Sequence, residues 1–475
     1  MTARHRLRLR RGGRVLVSLW QIFLVPVCPG DALCDIFLCV LWRKRMIQDL
    51  AGKVMRFRWL IFIVLALAYF FVYFHRLSLS VVANDLITDF QTTASVMGFL
   101  GSIYFYCYAF MQFPAGLLSD SLGPRKSVSF FLIIASAGSI VFGFAPTIEV
   151  AFIGRVMVGL GVSMVFIPTM KIFSRWFRPH EFAFMTGILN AVGGIGVLAA
   201  TWLLAVMTLF FGWRVCFEFI GCCTFVIVAL LWVIVRDRPE DKGWPSLAQL
   251  DQENGEASRQ FKQIPLLEGA RRVVSEKYFW PVAIWFFFDC GVFFGFGALW
   301  GGPYLMHVYK MTRAQAGTVL SMIAWGMIIG SPPLGFFSDK IMKSRKKPFI
   351  LCNLVLVIDL VILSIYPSGL SRIALCILFF VFSVCSSSVV ILGFTIIKEL
   401  FPTEIAGTST GFVNLFPFLG GAVFMPVLGR VLDSYPKSDS GAYSLEAYSM
   451  LILILLGASV LSLICTFLTK ETFQK

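Results

Sequence analysis

Charge is scarce in this 475-residue chain: Asp, Glu, Lys and Arg together make up 14% of it, where soluble domains carry about 25%. A water-soluble enzyme, a disordered tail protein and a secreted disulfide scaffold are excluded at once. Histidine is scarcer still. With only His5, His75, His180 and His307 available, a histidine-rich metal centre has too few ligands. No GxxxxGK[ST] loop is present to cradle a nucleotide, so ATP does not drive the chain's work. Cysteine occurs twelve times, but Cys107, Cys222, Cys223, Cys352, Cys385 and most others fall in apolar stretches without CxxC or Cys/His ligand spacing. They read as small packing residues. No cofactor and no metal is expected. What is abundant is apolar: 58% of the residues, with a mean hydropathy of +0.82. This is the composition of a membrane protein, in which length counts as spans of about 20 residues.

Apolar stretches long enough to cross lie at about 59–82, 95–118, 127–145, 149–172, 183–208, 215–235, 279–305, 315–337, 348–367, 373–397, 405–431 and 448–468, twelve in all. Helices are required, because lipid offers backbone groups no partners and the period-two alternation of a barrel is absent. The predicted fold is therefore all-α and polytopic. The net charge of +15 does not signal nucleic acid, since Lys and Arg cluster between spans. Arg125 and Lys126, Arg175 and Arg178, and Lys343, Arg345, Lys346 and Lys347 lie in loops on one face, while Asp85, Asp89 and Glu149 lie on the other. By the positive-inside pattern both ends of the twelve-span body face the cytoplasm.

The longest polar segment, 236–278, holds eight basic and eight acidic residues and reads as a linker between six-span halves, 57–235 and 279–470. The halves repeat. Gly116-Leu-Leu-Ser-Asp120 recurs as Gly335-Phe-Phe-Ser-Asp339, an offset of 219, and Thr186-Gly-Ile-Leu-Asn190 recurs as Thr410-Gly-Phe-Val-Asn414, an offset of 224. Two matches at nearly one offset argue for internal duplication and for two parallel, pseudo-symmetric bundles that rock about a central site. Residues 1–56 stand apart. Up to Arg45 they hold nine basic residues against Asp31 and Asp35, +7 of the total +15. An over-extended start is expected, with Met46 or Met55 the true beginning.

The segment Gly116-Leu-Leu-Ser-Asp120-Ser-Leu-Gly123-Pro-Arg125-Lys126 resembles the G-x-x-x-D-x-x-G-x-[RK]-[RK] signature of the major facilitator superfamily. Arg155-Val-Met-Val-Gly159-Leu-Gly161 is similar to that family's R-x-x-x-G-x-G, and the resemblance extends over residues 57–470. It implies that Gly116, Asp120, Gly123, Arg125, Arg155 and Asp339 belong to the gate. The residue types suit that role: Gly116 permits close helix contact, Gly123 a tight turn, and Asp120 sits well on a neighbouring helix N-terminus. The second copy departs from the pattern at Met342, where a glycine belongs. Glu181 and Glu404 precede spans five and eleven as acids at helix starts.

Substrate residues in a bilayer are polar, deep and turned to a cavity. Tyr69, Tyr73, Arg76 and Ser80 are spaced i, i+4, i+7 and i+11, so they form one stripe on the first span. The stretch His75-Arg76-Leu77-Ser78-Leu79-Ser80 resembles the basic segment of the organophosphate antiporters and organic-anion symporters of the superfamily, which implies that Arg76 binds an anionic solute. Counting 1.5 Å per residue from Trp59 puts Arg76 about 25 Å along the span, in the outer half unless the helix protrudes. The resemblance to the phosphate antiporters is incomplete: the matching place in span seven, near Phe294, has no second arginine, and Gly193 stands where those relatives' span five would supply a histidine, which implies a carboxylate rather than a phosphate ester. Tyr104, Tyr108, Asn190 and Asn414 are the expected hydrogen-bonding partners, and Asp289, deep in span seven, is the candidate carrier of a coupling proton. Asp359 is set aside as peripheral, and Lys171 and Lys398 as snorkelling.

The sequence thus points to a secondary transporter, not an enzyme, moving a small polar, anionic solute by alternating access. Its expected setting is the bacterial inner membrane, as a monomer in the lipid bilayer, with protons as a possible coupling partner. The competing reading is a non-transporting solute sensor on the same fold.

Overall fold

The computed structural model describes residues 32–247, 266–402, 405–438 and 441–473. The basic cluster of the first 31 residues, Glu404 and the middle of the polar linker lie outside them. The chain divides into two units, Met1–Lys53 and Val54–Lys475, and the second carries the helical body.

Among the described residues, eleven helices are long and apolar enough to cross a membrane, and one of them, Phe184–Ile234, runs for 51 residues. Gly212 breaks it, with φ 73° and ψ 164°, a left-hand-side conformation that glycine adopts without a Cβ clash. Counted with that reversal, the spans among the described residues are twelve, as expected: α1 (Leu50–Leu77), α2 (Ala94–Ser121), α3 (Pro124–Gly143), α4 (Ile148–Trp176), α5 (from Pro179 to Gly212), α6 (from Gly212 to Ile234), α7 (Phe279–His307), α8 (Arg313–Met342), α9 (Lys346–Ile365), α10 (Arg372–Leu400), α11 (Gly407–Asp433) and α12 (Leu445–Leu468). A short helix, Leu79–Asp89, follows α1. Four of the even-numbered helices open on hydroxyl caps: Thr93, Thr312, Ser371 and Ser444 accept from the backbone N–H of Val96, Gln315, Ala374 and Ala447. These caps satisfy donors that would otherwise be orphaned where each helix begins.

The two six-helix bundles meet along a seam formed by α2 against α11 and α5 against α8. On the face carrying the acidic loops the seam is tight. Asp433 of α11 accepts from the backbone N–H of Ala94 (3.0 Å) and of Ser95 (2.6 Å) at the start of α2, and Asp85 pairs with Arg313 of α8. A Cβ built on Gly98 would lie 2.5 Å from the Met425 carbonyl oxygen, so α2 and α11 touch backbone to backbone. On the basic-loop face the same helices part. Gly187, Gly407 and Gly411 are exposed, and a Cβ on any of them meets nothing within 4 Å. The ion pairs of Arg58 with Glu181, Lys171 with Asp120 and Arg345 with Asp339 on that face each stay within one bundle.

Candidate functional site

Helix α1 ends at Leu77, and the chain turns at Ser78 before the helix Leu79–Asp89. The hydroxyls of Ser78 and Ser80 donate to the carbonyls of His75 and Leu77 (3.3 and 2.8 Å), and Arg155 of α4 donates from Nη1 to the His75 carbonyl (3.2 Å). Backbone groups loosened by the break are thereby satisfied inside protein, as the bilayer demands. Arg76 is the residue presented at this break.

Arg76 is 6% exposed, and its guanidinium lies among aromatic faces from both bundles. Tyr73 and Tyr108 stand 4.5 and 5.3 Å from it, and Phe294 and Phe418 stand 5.6 and 5.2 Å away. Cation–π contacts stabilise a desolvated cation, yet they leave its charge uncompensated. Among the described residues Arg76 enters no ion pair, and its Nε has no hydrogen-bond partner. A buried cation without a counter-ion is costly. The geometry therefore offers a vacant electrostatic complement for one anionic group. Tyr108 and Phe294 lie near the middles of α2 and α7, and Phe418 near that of α11. Arg76 is thus level with mid-depth rather than the outer half. The count from Trp59 places Arg76 in the outer half unless the helix protrudes, and the first span does extend past Trp59, to Leu50, at the basic-loop end.

The remaining stripe assembles around it. Tyr69 and Tyr73 pack edge to face at 5.3 Å, and the Tyr73 hydroxyl donates to Asn190 Oδ1 at 3.5 Å. The Tyr104 hydroxyl donates to the Val72 carbonyl (3.3 Å), and its ring sits 5.3 Å from the Arg155 guanidinium. Arg155, expected at the gate, is thus buried behind the cage as a brace for the broken helix. Asn414 donates to Gln112 Oε1 at 3.1 Å, across the seam from α11 to α2. Gln112 is a residue that sequence reasoning misses, and its one signal is that it follows Tyr108 by one helical turn. The two repeat-related asparagines therefore flank the cage from opposite bundles. Gly193 fits this arrangement: a Cβ there would lie 2.8 Å from the Tyr73 ring, so the absent side chain leaves room for that ring.

Asp289 does not join Arg76. It is fully buried inside the second bundle, where Ser386 of α10 donates to Oδ2 at 3.1 Å and Oδ1 has no partner. Both helices are π-helical beside it, over Phe293–Trp300 and Val384–Ser388, a local widening frequent at functional sites. Asp359 of α9 is also buried, with neither carboxylate oxygen hydrogen-bonded.

The other residues expected at the gate lie at the basic-loop face. Asp120 pairs with Lys171 at the end of α4, so that lysine is an ion-pair partner rather than a snorkelling cation. Gly123 caps α3 with φ 89°, and Asp237 accepts from the Arg125 backbone N–H at 2.7 Å. The Arg125 side chain lies over the Trp232 ring at 4.6 Å. Nothing lies within 4 Å of a Cβ on Gly116. In the second copy Arg345 binds Asp339 and, at 2.9 Å, Glu399 of α10, and Lys343 takes the left-handed turn (φ 46°) one residue after Met342. Glu181 accepts both arms of Arg58 (2.7 and 2.9 Å) as well as the Arg178 backbone N–H. Every one of these contacts stays within one bundle.

Comparison with known proteins accords with this architecture. The family model for the Major Facilitator Superfamily matches residues 65–301 and 287–475. A probable hexose phosphate transport protein of Chlamydia trachomatis is 24% identical, the match covering 88% of this chain and 92% of that protein. The membrane sensor protein UhpC of Escherichia coli is 24% identical over 87% and 92%. The probable galactarate/D-glucarate transporter GarP of the same organism is 24% identical over 81% and 90%. Among solved structures, a bacterial homologue of the human lysosomal transporter Spinster, inward-facing and unoccupied, superposes with a TM-score of 0.70 at 16% identity, covering 87% of this chain and 97% of that one.

Proposed function

The chain belongs to the Major Facilitator Superfamily, a multi-pass membrane transporter fold, and from that premise we propose that it carries a small organic anion across the membrane by secondary active transport, with Arg76 as the anion's ligand. The observation that carries this reading is the buried guanidinium without a counter-ion, enclosed by rings from both bundles. A carboxylate suits it best. One guanidinium forms a bidentate, singly charged match for a carboxylate, whereas a phosphate ester dianion asks for a second cation, and Arg155 already spends Nη1 on a backbone carbonyl. The relatives named for galactarate/D-glucarate and for hexose phosphate bear the names of anionic solutes. Tyr69, Tyr73, Tyr104, Tyr108, Asn190 and Asn414 surround the solute, and Asp289 takes up the coupling proton inside the second bundle. The gate residues Gly116, Asp120, Gly123, Arg125 and Asp339 hold each bundle rigid at the cytoplasmic face, and Arg155 braces the site. Both ends of the helical body face the cytoplasm, so this conformation is open inward.

Uptake into proteoliposomes tests this directly, with sugar acids, monocarboxylates and sugar phosphates offered with and without an inward-directed proton gradient. Arg76→Ala should abolish uptake of every anion that the wild type carries, and Arg76→Lys should not restore it, because an ammonium lacks the planar fork. Asp289→Asn should leave exchange intact while uphill uptake no longer follows the pH gradient. Unchanged transport by Arg76→Ala would refute the assignment. The likeness to UhpC favours one second reading, a solute sensor, which the same assay separates: a sensor binds the anion and shows no flux.

A further inference from the structure

Arg430 is a cation that the site does not use. Arg430 lies one turn before the end of α11, at the acidic-loop face, and is exposed. Asp433, three residues on, would be its natural partner, but its oxygens are engaged by Ala94, Ser95 and Tyr443. Among the described residues Arg430 enters no ion pair. A groove of about 420 Å³ starts beside it and continues into a second of about 230 Å³, with Phe99, Pro426 and Arg430 common to both. Its walls are Phe99 and Tyr106 of α2, Phe152 of α4, and Val423 and Val427 of α11. It therefore runs along the outer side of the seam, from an unpaired guanidinium at the membrane edge toward the midplane.

We propose that this groove binds a phospholipid of the acidic-loop-face leaflet, with its phosphate on Arg430 and one acyl chain laid between α2 and α11. Charge and length both match. A guanidinium and a phosphodiester form charge-assisted hydrogen bonds of good geometry. The eleven steps from Ser95 to Tyr106 rise about 16 Å, close to the roughly 15 Å of hydrocarbon in one leaflet. A lipid so placed touches both bundles where Asp433 ties them together, and so belongs to the state closed at that face.

The test uses the full chain in vesicles of phosphatidylethanolamine and phosphatidylglycerol carrying a trace of lipid with a photoactivatable acyl chain, followed by peptide mapping of the adducts. Adducts should concentrate around Phe99, Tyr106, Val423 and Val427. Arg430→Gln should reduce them at least about fivefold, in line with the loss of a charge-assisted contact, and Arg430→Lys should retain part of the signal. Labelling at the exposed apolar Phe130 and Leu461 should not change, which also reports that the variants are folded. Equal labelling by probes with either headgroup supports recognition of the shared phosphate, and preference for phosphatidylglycerol supports the same site with added charge selectivity. Uniform labelling over all lipid-facing helices, undiminished labelling in Arg430→Gln, or equal labelling by a diacylglycerol probe lacking phosphate would overturn the proposal.

Discussion

Arg76 is a buried positive charge without a counter-ion, set among aromatic faces and the hydroxyls of Tyr104 and Tyr108, and the residues around it are chosen for what they leave free. Gly193 is the sharpest case. Because a Cβ there would come within 2.8 Å of the Tyr73 ring, Gly193→Ala should push Tyr73 off both Arg76 and Asn190, an overpacking penalty of about 1–3 kcal/mol. The expected outcome is a folded protein, by thermal unfolding in detergent, whose anion uptake falls about tenfold or more, in proportion to that energy. The polar stripe of α1 is legible in the sequence because helical spacing alone puts Tyr69, Tyr73 and Arg76 on one face. Phe294 and Phe418 are not, because aromatic residues are common throughout these spans, and only the meeting of α7 and α11 with α1 distinguishes two of the 49 phenylalanines. Asp359 is visible in the sequence, but its place on a peripheral span hides its environment. Its two unbonded oxygens show that such a span can bury an acid.

At the level of the helix, ends matter more than middles. The apolar middles of the spans read directly from hydropathy, and Gly212 marks a reversal where α5 and α6 would otherwise run on. The partners of the ends are less legible. Lys171 alone resembles a snorkelling cation, and its ion pair with Asp120 needs α2 and α4 to finish at the same level. Glu471 is another such partner. It accepts from the Ser344 hydroxyl and from the backbone N–H of Arg345 (2.9 Å) and Lys346 (3.3 Å), capping α9. Burial pushes its carboxyl upward, but these hydrogen bonds outweigh burial and hold it below the usual glutamate range. A depressed folded value means that the stabilisation is fully present above the unfolded value of about 4.3 and is lost as pH falls through the folded one. Glu471→Gln should thus lower stability by about 1 kcal/mol at neutral pH, the usual worth of a cap. The difference from wild type should close as the pH drops below about 4, measured by thermal unfolding in detergent across pH.

At the scale of the whole molecule, the duplicated sequence produces one seam with two unlike faces. The repeat predicts two bundles and their parallel arrangement, because Gly116 and Gly335, and Asn190 and Asn414, recur in order. It does not predict which face is closed, since that depends on contacts without counterparts in the other copy: Asp433 on the start of α2, Asp85 on Arg313, and Gly98 against Met425. These tie the bundles at the acidic-loop face while the basic-loop face stands apart. The central claim is that the anion on Arg76 reaches one compartment at a time, because this seam opens at one face only when it closes at the other. The most direct measurement replaces the paired Asp85 and Arg313 by cysteines in a chain with its exposed native Cys222 removed, joins them with a reducible thiol cross-linker, and follows exchange of labelled anion across proteoliposomes. Exchange should fall to the level of protein-free vesicles when the link is formed and recover on reduction; exchange at the full rate through linked protein would contradict the account.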